Sequence, residues 1–481
     1  MLVVSRWSVC RRNDGPTYTP LLVTGYEGGR WKTLRYRTLY VLPFGHSAGL
    51  VADISVQIGG YYIDVRIGTP GKKFTLHLDT GSADTWVNTP DLNLCSSRSR
   101  PCDFSGTYQP NASSTYEYVN DHFDISYVDG SGAKGEYAAD AFLFGYTRIK
   151  LDRLQFGIGH SSTNAQGLVG LGYAMSEVQT RAGLPPYNNL PAQMAVDGLI
   201  NSNAYSIWLN DLDSPAGTIL FGGVDPAKYE GDLITLPVQT AQNGEYRNLM
   251  VTLTGLTFHG DGNGDNTTQI SEDNLALAVL LDTGSTLTYL HNDLVEPLYD
   301  AIGVTIMPNP QGEQTAYVPC SFKDRKQSLV FTFSSQLEIS VPMDELVLNQ
   351  TTDNKTPRMP DGVTDACLFG IQERVGAGSN TLGDTFLRSA YVVFDLDNNE
   401  ISMAQTKFNA TTTAMVEIKK GKGGVPGAKM VDNAVQATSG FSDDQGGIYQ
   451  NAASGQMGVG RGMGTVAWGL LVGVAMVFMG L

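Results

Sequence analysis

Cysteine, histidine and positive charge are scarce in this chain. Its 481 residues include only five cysteines and six histidines, with no Cys-x-x-Cys pair and no histidine cluster, so the sequence predicts no zinc site. Lysine and arginine number 32 against 48 acidic residues, and the net charge of −16 argues against a nucleic-acid partner. We therefore expect neither a metal site nor a nucleic-acid interface.

Helical periodicity is rare as well, whereas glycine is abundant, with 55 residues. This composition favours an all-β fold with many tight turns. Alternating segments at 54–58 and 61–67 flank Gly59-Gly60 and predict a hairpin, and the stretch from Leu294 to Ile302 predicts a short helix. Because a chain of this length exceeds one hydrophobic core, we expect two domains or two lobes.

One four-residue motif occurs twice, each time directly after an apolar run. The two copies are Asp79-Thr80-Gly81-Ser82 after Leu76-His77-Leu78, and Asp282-Thr283-Gly284-Ser285 after Val279-Leu280-Leu281. Matching strand-to-turn corners about 200 residues apart indicate two similar lobes that face each other across a cleft. Such an arrangement can bring two aspartates close enough to share one proton.

The residues that follow each aspartate suit this chemistry. A glycine after Asp-Thr lets the backbone turn tightly, and the threonine and serine hydroxyls can donate hydrogen bonds to the carboxylate. Two carboxylates about 3 Å apart cannot both ionise easily, so one holds a proton while the other accepts one from a water molecule. This mechanism hydrolyses a peptide bond without a metal or an organic cofactor.

With these motifs the chain resembles the pepsin-like aspartic endopeptidases over about residues 53 to 407. The further matching segments are Ala83-Asp84-Thr85-Trp86-Val87, Leu168-Val169-Gly170 and Thr381-Leu382-Gly383-Asp384. The resemblance implies a bilobal pepsin-like fold, polypeptide substrates and activity at acid pH, with Asp79 and Asp282 catalytic. It implies supporting roles for Thr80, Ser82, Trp86 and Thr283, and substrate-binding roles for Gly81, Tyr127, Asp129, Gly284 and Ser285.

The segment from Ile125 to Gly132 resembles the mobile flap of that family. Tyr127 then matches the flap tyrosine, although Val128 stands where the family often has glycine. Asp129 resembles members that accept basic residues next to the cleaved bond; the alternative is a solvated turn residue. His77 replaces a residue that is usually apolar, and it either brings positive charge to the cleft at acid pH or serves as a structural histidine.

Both cysteine pairs fall where the family places disulfides. We expect Cys95–Cys102 and Cys320–Cys367 bridges, with Cys10 unpaired or removed, in an oxidising compartment. Five Asn-x-Ser/Thr sequons are candidate glycosylation sites: Asn111, Asn266, Asn349, Asn354 and Asn409.

Both chain ends differ from the protease-like part. Residues 1–50 are basic, and they are either a pro-segment over an acidic cleft or a misassigned start that lacks the signal peptide. We expect lobes at 51–225 and 226–410, a low-complexity linker or stalk at 411–464 and an apolar tail at 465–481.

The tail resembles a glycosylphosphatidylinositol (GPI) attachment signal. Small residues at Asn451 to Ser454 precede a spacer of ten residues and 17 uncharged residues. A single membrane span is the alternative, but 17 residues are at the short limit and no basic residue follows. Together with the motifs, this pattern is similar to the GPI-anchored fungal yapsins and predicts a monomeric, surface-anchored extracellular enzyme; the alternatives are a secreted enzyme and, with a dead cleft, a binding protein. Since both Asp-Thr-Gly triplets are intact, we favour the enzyme.

Overall fold

A computed structural model describes residues 22–27, 30–35, 50–57 and 60–441, with gaps at 145–148, 215, 242, 262–265, 310–311, 350–356 and 375–377. The first half is built from thirteen described strands and one α-helix. They are β1 Leu22–Glu27, β2 Arg30–Arg35, β3 Leu50–Gln57, β4 Gly60–Ile67, β5 Lys72–Asp79, β6 Trp86–Asn88, β7 Glu117–Ser126, β8 Gly132–Phe144, β9 Lys150–Ser162, β10 Leu168–Gly170, α1 Leu190–Val196, β11 Ala204–Trp208, β12 Ala216–Phe221 and β13 Gly223–Val224.

The second half follows a similar plan. Its elements are β14 Tyr229–Pro237, β15 Met250–Leu253, β16 Gly255–His259, β17 Thr267–Gln269, β18 Leu277–Leu281, β19 Thr288–Leu290, α2 Asn292–Ile302, β20 Thr305–Pro308, β21 Gln314–Pro319, β22 Ser328–Phe333, β23 Leu337–Pro342, α3 Met343–Leu346, β24 Val347–Leu348, β25 Ala366–Phe369, β26 Ile371–Glu373, β27 Asn380–Leu382, α4 Asp384–Leu387, β28 Ala390–Asp395, β29 Glu400–Thr406, β30 Val416–Glu417 and β31 Ala428–Met430. The fold is all-β and bilobal, as the sequence predicts.

The same strand arrangement occurs once in each lobe. In the first lobe the order is β4-β5-β10-β6-β9, and in the second it is β15-β18-β27-β19-β26. The pairings match one by one: β5 and β18 each run parallel to the strand that follows them in this order, β10 or β27. The next pairs, β10 with β6 and β27 with β19, are antiparallel. The last pairs, β6 with β9 and β19 with β26, are parallel again. Each repeat therefore ends a buried strand at, or directly before, one of the two aspartates.

A continuous sheet of fourteen strands joins the lobes. Within it β11 of the first half pairs with β28 of the second, with Tyr205 opposite Phe394. Their rings lie 5.1 Å apart in the largest cluster of buried apolar side chains, which draws on both lobes. Because this sheet links the lobes, it fixes the position of one corner relative to the other.

Two local predictions agree with the structure. β3 and β4 form an antiparallel hairpin with Gln57 opposite Gly60, and a helix covers Leu294 to Ile302. That helix, α2, begins two residues earlier because His291 caps it: Nδ1 of His291 accepts a hydrogen bond from the N–H of Asp293 at 3.3 Å.

The structure differs from the predicted linker at residues 411–441. This segment packs against both halves: Ile418, Val425 and Val431 are buried, β30 pairs with β13 of the first half, and β31 runs parallel to β14 of the second. We call residues 414–441 the C-terminal strap. Gly421 and Gly440 adopt left-handed conformations that turn the strap back onto the body of the protein.

Several predictions fall outside the described residues. They are Cys10, Asn354, the linker at 442–464 and the apolar tail at 465–481, as well as most of the basic N-terminal region. Within the described part of the chain, no helix is both long enough and apolar enough to cross a bilayer.

Candidate active site

The two Asp-Thr-Gly-Ser corners meet in the middle of the molecule. β5 ends at Asp79, and Asp282 directly follows β18. Two of the matching segments, Leu168-Val169-Gly170 and Thr381-Leu382-Gly383-Asp384, lie behind the corners, and we call them the supporting segments. Gly170 packs against the first corner and Gly383 against the second. A Cβ at Gly170 would lie 2.4 Å from the carbonyl carbon of Ala83, and a Cβ at Gly383 would lie 2.2 Å from the carbonyl oxygen of Leu287. Only glycine allows this close approach.

The threonines of the two corners bind each other's lobes reciprocally. The hydroxyl of Thr80 donates to the carbonyl oxygen of Leu281 at 2.8 Å and accepts from the N–H of Thr283 at 3.0 Å. The hydroxyl of Thr283 donates to the carbonyl oxygen of Leu78 at 2.9 Å and accepts from the N–H of Thr80 at 3.2 Å. These four buried bonds fix the two aspartates relative to each other.

The inner oxygens of the two carboxylates share one donor. The N–H of Gly81 lies 2.8 Å from Oδ1 of Asp79 and 3.1 Å from Oδ1 of Asp282. The N–H of Gly284 donates to Oδ1 of Asp282 at 2.8 Å, and a Cβ on this glycine would lie 2.5 Å from Oδ1 of Asp79. The outer oxygens accept hydrogen bonds from the hydroxyls of Ser82 and Ser285. Both carboxylates are completely buried.

This environment favours a single shared proton. Burial raises the pKa of both aspartates, and the negative charge of Asp79 raises the pKa of Asp282 further. Hydrogen bonds from Ser82, Ser285 and the glycine N–H groups stabilise the remaining negative charge. The two titrations belong to the pair rather than to one residue.

The predicted flap is the tip of the β7–β8 hairpin. The N–H of Tyr127 donates to the carbonyl oxygen of Ser131 at 2.8 Å, while Val128 and Asp129 at the tip are exposed. Indole Nε1 of Trp86 donates to the Tyr127 hydroxyl at 2.7 Å, and both side chains are buried. The charge of Asp79 contributes to the raised pKa of Tyr127, after burial, so this tyrosine and the first aspartate lie within electrostatic reach of each other.

His77 does not face the aspartates as a cation. It is 3% exposed, its ring lies 5.0 Å from the ring of Tyr62, and its Nε2 has no hydrogen-bond partner. A Cβ on Gly60 would lie 2.5 Å from this nitrogen. Burial lowers the pKa of His77 to about 4, so the imidazole is neutral above that pH. These observations favour the structural alternative.

Three buried acidic residues near the corners were missed as site residues by sequence reasoning. They are Asp84 and Glu177 near the flap and Asp384 at the end of the second supporting segment, and all three are almost fully buried. Asp84 and Asp384 lie inside motifs that were recognised, but a motif does not reveal which carboxyl group is desolvated. Burial raises the pKa of each.

Both expected disulfides are present. Cys95–Cys102 and Cys320–Cys367 join Cα atoms 5.0 Å and 4.8 Å apart, each within one lobe. Four of the five sequon asparagines fall within the described residues, and all four are exposed: Asn111, Asn266, Asn349 and Asn409. Over the described residues, no group of three or more histidine, cysteine or acidic side chains is arranged to hold a metal ion.

Two lobes that hold paired aspartates across their interface define an aspartic-type hydrolase. The family model for eukaryotic aspartyl protease matches residues 60–406, and the chain belongs to this family. It is an aspartic-type endopeptidase, an enzyme that hydrolyses peptide bonds.

Relatives of similar length support this assignment. The chain is 48% identical over 389 residues to "Probable aspartic-type endopeptidase opsB" of Aspergillus oryzae, and this alignment covers 80% of this chain and 76% of the relative. It is 34% identical to "Secreted aspartic protease 3" of Candida albicans, over 73% of this chain and 81% of the relative. The crystal structure of the aspartic proteinase from Irpex lacteus shares the fold, with a TM-score of 0.57, 19% identity, and coverage of 76% of this chain and 100% of that one.

Proposed function

We propose that Asp79 and Asp282 are the catalytic pair of this endopeptidase. The observation that carries the proposal is the N–H of Gly81, which lies within hydrogen-bond distance of both inner carboxylate oxygens. A water molecule between the carboxyl groups gives its proton to the ionised one as its oxygen attacks the peptide carbonyl carbon. The protonated partner gives its proton to the carbonyl oxygen, which forms a neutral tetrahedral diol. The diol collapses when a hydroxyl proton returns through the pair, the amine nitrogen is protonated and the C–N bond breaks.

The residues around the pair have positioning roles in this proposal. Thr80 and Thr283 hold the corners together, and Ser82 and Ser285 orient the outer oxygens. The flap closes over the substrate, with Tyr127 held by Trp86. Gly81 and Gly284 contact the substrate backbone in this proposal, and a Cβ at either position would collide with the aspartate of the other lobe.

An acid optimum follows from the shared proton. The mechanism needs one carboxyl group protonated and the other ionised, so the rate falls as pH rises through the second ionisation of the pair. It also falls when pH drops far enough to protonate both groups. Because burial raises both pKa values, we expect the single-proton form to persist through mildly acid pH.

Cleavage of a peptide substrate between pH 3 and pH 7 tests the proposal. We expect maximal activity at acid pH, complete inhibition by a statine-containing transition-state mimic, and no effect of a chelator. Inhibition by the chelator, or full activity in the presence of the statine compound, would contradict it.

A preference for basic residues beside the cleaved bond is the proposed specificity. Asp129 is exposed at the flap tip, and its charge, after burial, contributes to raising the pKa of Tyr289 in the opposite lobe to about 12. This electrostatic effect on the opposite lobe supports a role for Asp129 in the cleft. Pairing with a substrate cation in a partly desolvated cleft is worth roughly 1–3 kcal/mol.

A peptide library profiled on wild type and on Asp129→Ala tests this specificity. We expect a ten- to hundredfold loss of preference for Lys and Arg over Leu and Phe, roughly the factor that this pairing energy gives. Asp124→Asn is the matched control, because Asp124 lies on the same hairpin but is paired with Lys134 at 2.8 Å. If the Asp129 variant kept the wild-type profile, Asp129 would be a solvated turn residue.

An extracellular location with a lipid anchor is the proposed setting. It is supported by two disulfides, by four exposed sequon asparagines, and by the name of the secreted relative from Candida albicans. Small residues at 451–454 and the uncharged run at 465–481 have the pattern of a GPI signal, as in yapsins. Release of the surface enzyme by phosphatidylinositol-specific phospholipase C tests the anchor. Recovery of Leu481 on the mature protein would contradict it and leave a secreted or membrane-spanning form.

A further inference from the structure

The flap side of the molecule contains a second pair of buried carboxyl groups. Asp84 lies five residues after Asp79 and is 1% exposed, and Glu177 is 0% exposed. Tyr187 joins them: its hydroxyl donates to Oδ1 of Asp84 at 3.0 Å, and its backbone N–H donates to Oε2 of Glu177 at 2.7 Å. The proposed peptide hydrolysis makes no direct use of this pair.

The hydrogen bonds of the two carboxyl groups are unequal. Asp84 accepts three, from the hydroxyl of Tyr137, the hydroxyl of Tyr187 and the N–H of Val178. Glu177 accepts one, and its Oε1 is buried without a partner. A buried carboxylate with three donors tolerates a negative charge, whereas a buried oxygen without a donor does not. The favoured state is therefore an ionised Asp84 beside a protonated Glu177.

The charges around Glu177 agree with this assignment. Burial, and after it the charge of Asp84, raise the pKa of Glu177 to about 10. The other titratable groups that face the pair include Tyr127, Tyr137, Tyr187 and Arg181. The electrostatic effect of Arg181 is on Asp84, whose pKa it lowers. The positive charge of Arg181 thus stabilises the ionised form of Asp84.

Packed aromatic rings connect this pair to the flap. Tyr137 on β8 lies 5.4 Å from Phe123 on β7, and Phe123 lies 6.2 Å from Trp86, measured between ring centroids. Trp86 in turn donates its hydrogen bond to Tyr127. Both strands of the flap hairpin are therefore held to a cluster that Asp84 anchors through Tyr137.

We propose that Glu177 holds a proton beside the ionised Asp84 and that this singly protonated pair positions the flap over the aspartates. The inference rests on the proposed role of Tyr127 and adds two positioning residues for it. When Glu177 loses its proton, two negative charges face each other without enough donors, and the contacts of Tyr187 and Tyr137 are lost. The flap side then opens, and Glu177 becomes hydrated.

The pH dependence of this opening has a definite sign. Glu177 has a higher pKa in the closed state than its ordinary value of 4.5, so the closed state holds one proton more between about pH 4.5 and pH 10. Opening releases that proton, and the opening equilibrium rises about tenfold per pH unit in this window. Below it the pair adds no pH dependence.

Hydrogen–deuterium exchange of peptides covering residues 120–137 tests the inference without using activity. Exchange rates are first corrected for the pH dependence of intrinsic amide exchange. Between pH 5 and pH 7 we then expect the protection factors of wild type to fall by roughly a hundredfold, because opening releases one proton and the opening equilibrium rises about tenfold per pH unit. In Glu177→Gln the amide oxygen still accepts from Tyr187 but cannot ionise, so protection should change less than threefold. The matched control is Glu136→Gln on β8, which should behave as wild type.

A second variant keeps the test decisive if Glu177→Gln does not fold. Asp84→Asn replaces the acceptor of three hydrogen bonds, and we expect flap protection to be lost already at pH 5, with KM raised about tenfold and kcat changed less. Equal pH dependence in wild type and Glu177→Gln, or full flap protection in Asp84→Asn, would overturn the inference. The two failures can be told apart by peptide cleavage with the wild-type enzyme at acid pH. If only this inference is wrong, wild type still cleaves the peptide; if the proposed function is wrong, wild type does not cleave it.

Discussion

The corner with Asp79 and the corner with Asp282 use the same interior contacts. In each, the threonine hydroxyl binds the opposite lobe, the glycine N–H binds the inner carboxylate oxygen, and the serine hydroxyl binds the outer one. Matching distances differ by at most 0.2 Å in the threonine contacts, 2.8 and 2.9 Å for donation and 3.0 and 3.2 Å for acceptance.

The surroundings of the corners differ at equivalent positions. Two residues before the aspartate stand His77 in one corner and Leu280 in the other, and five residues after it stand Asp84 and Leu287. At these two positions the corner beneath the flap has ionisable side chains and the second corner has leucines, while Asp384 is the buried acidic residue beside the second corner. The shared chemistry constrains the inner contacts of both corners, while the outer contacts follow what each lobe must support.

The strands that lead into the corners are covered by unrelated segments. Four residues before the aspartate, the N–H of Thr75 donates to Ser105 at 3.1 Å, and the N–H of Ala278 donates to Ser439 at 2.8 Å, in each case to the carbonyl oxygen. Ser105 follows the Cys95–Cys102 loop, whereas Ser439 belongs to the C-terminal strap. The strap therefore supplies to the second lobe a contact that an internal loop supplies to the first.

Replacing one catalytic aspartate breaks the symmetry of the corners most severely. We expect Asp79→Asn and Asp282→Asn each to lower kcat by roughly 10³-fold or more, because either change removes the shared proton arrangement. Steady-state cleavage of one peptide at acid pH measures this, and thermal unfolding within a few degrees of wild type is the control. A corner whose variant kept a tenth of the activity would not be catalytic.

Converting His77 to its counterpart sharpens the comparison of the two surroundings. The pKa of His77 is about 4 in the fold against 6.5 when unfolded, so the unfolded chain binds more protons and stability falls as pH drops from about 6.5 to about 4. This loss amounts to about 3 kcal/mol. In His77→Leu that part of the pH dependence should disappear in urea unfolding at pH 6.5 and pH 4. If the unfolding free energy of His77→Leu changed between pH 6.5 and pH 4 as much as that of wild type, the imidazole of His77 would be solvated.

The reciprocal threonines test whether the inner contacts are equivalent. Thr80→Val and Thr283→Val each leave a buried carbonyl oxygen and a buried N–H without a partner, at a cost of about 1–3 kcal/mol in the free energy of unfolding. The two losses should agree within about 1 kcal/mol. Thr315→Val, at a half-buried hydroxyl outside the corners, is the control. A loss confined to one variant would mean that one lobe alone maintains the contact.

The strap contact should produce the smallest effect. Gly440 has a φ of +87°, and a Cβ there would lie 2.6 Å from the carbonyl oxygen of Ala278. Gly423, with a φ of +71° and no atom near its Cβ position, is the matched control. We expect Gly440→Ala to cost about 1 kcal/mol more than Gly423→Ala in unfolding free energy. Equal costs would show that the strap detaches without consequence for β18.

The features that the sequence predicted correctly are those formed by residues close together in the chain. The Asp-Thr-Gly-Ser corners, their supporting segments, the β3–β4 hairpin and helix α2 each lie within a few consecutive residues. Asp84 and Glu177 stand 93 residues apart (177 minus 84), and only the folded chain brings both within hydrogen-bond distance of Tyr187. The strap was missed because its few buried apolar residues, Ile418, Val425 and Val431, stand among glycines and lysines.

The central claim is that the two corners hold one catalytic unit, and a double-variant cycle on the aspartates tests it most directly. The measurement is kcat/KM for one peptide at acid pH with wild type, Asp79→Asn, Asp282→Asn and the double variant. Because both carboxyl groups share one proton, the account predicts that the double variant is within about tenfold of either single variant. A double variant whose loss equals the product of the two single losses would show that the aspartates act independently and would contradict the account.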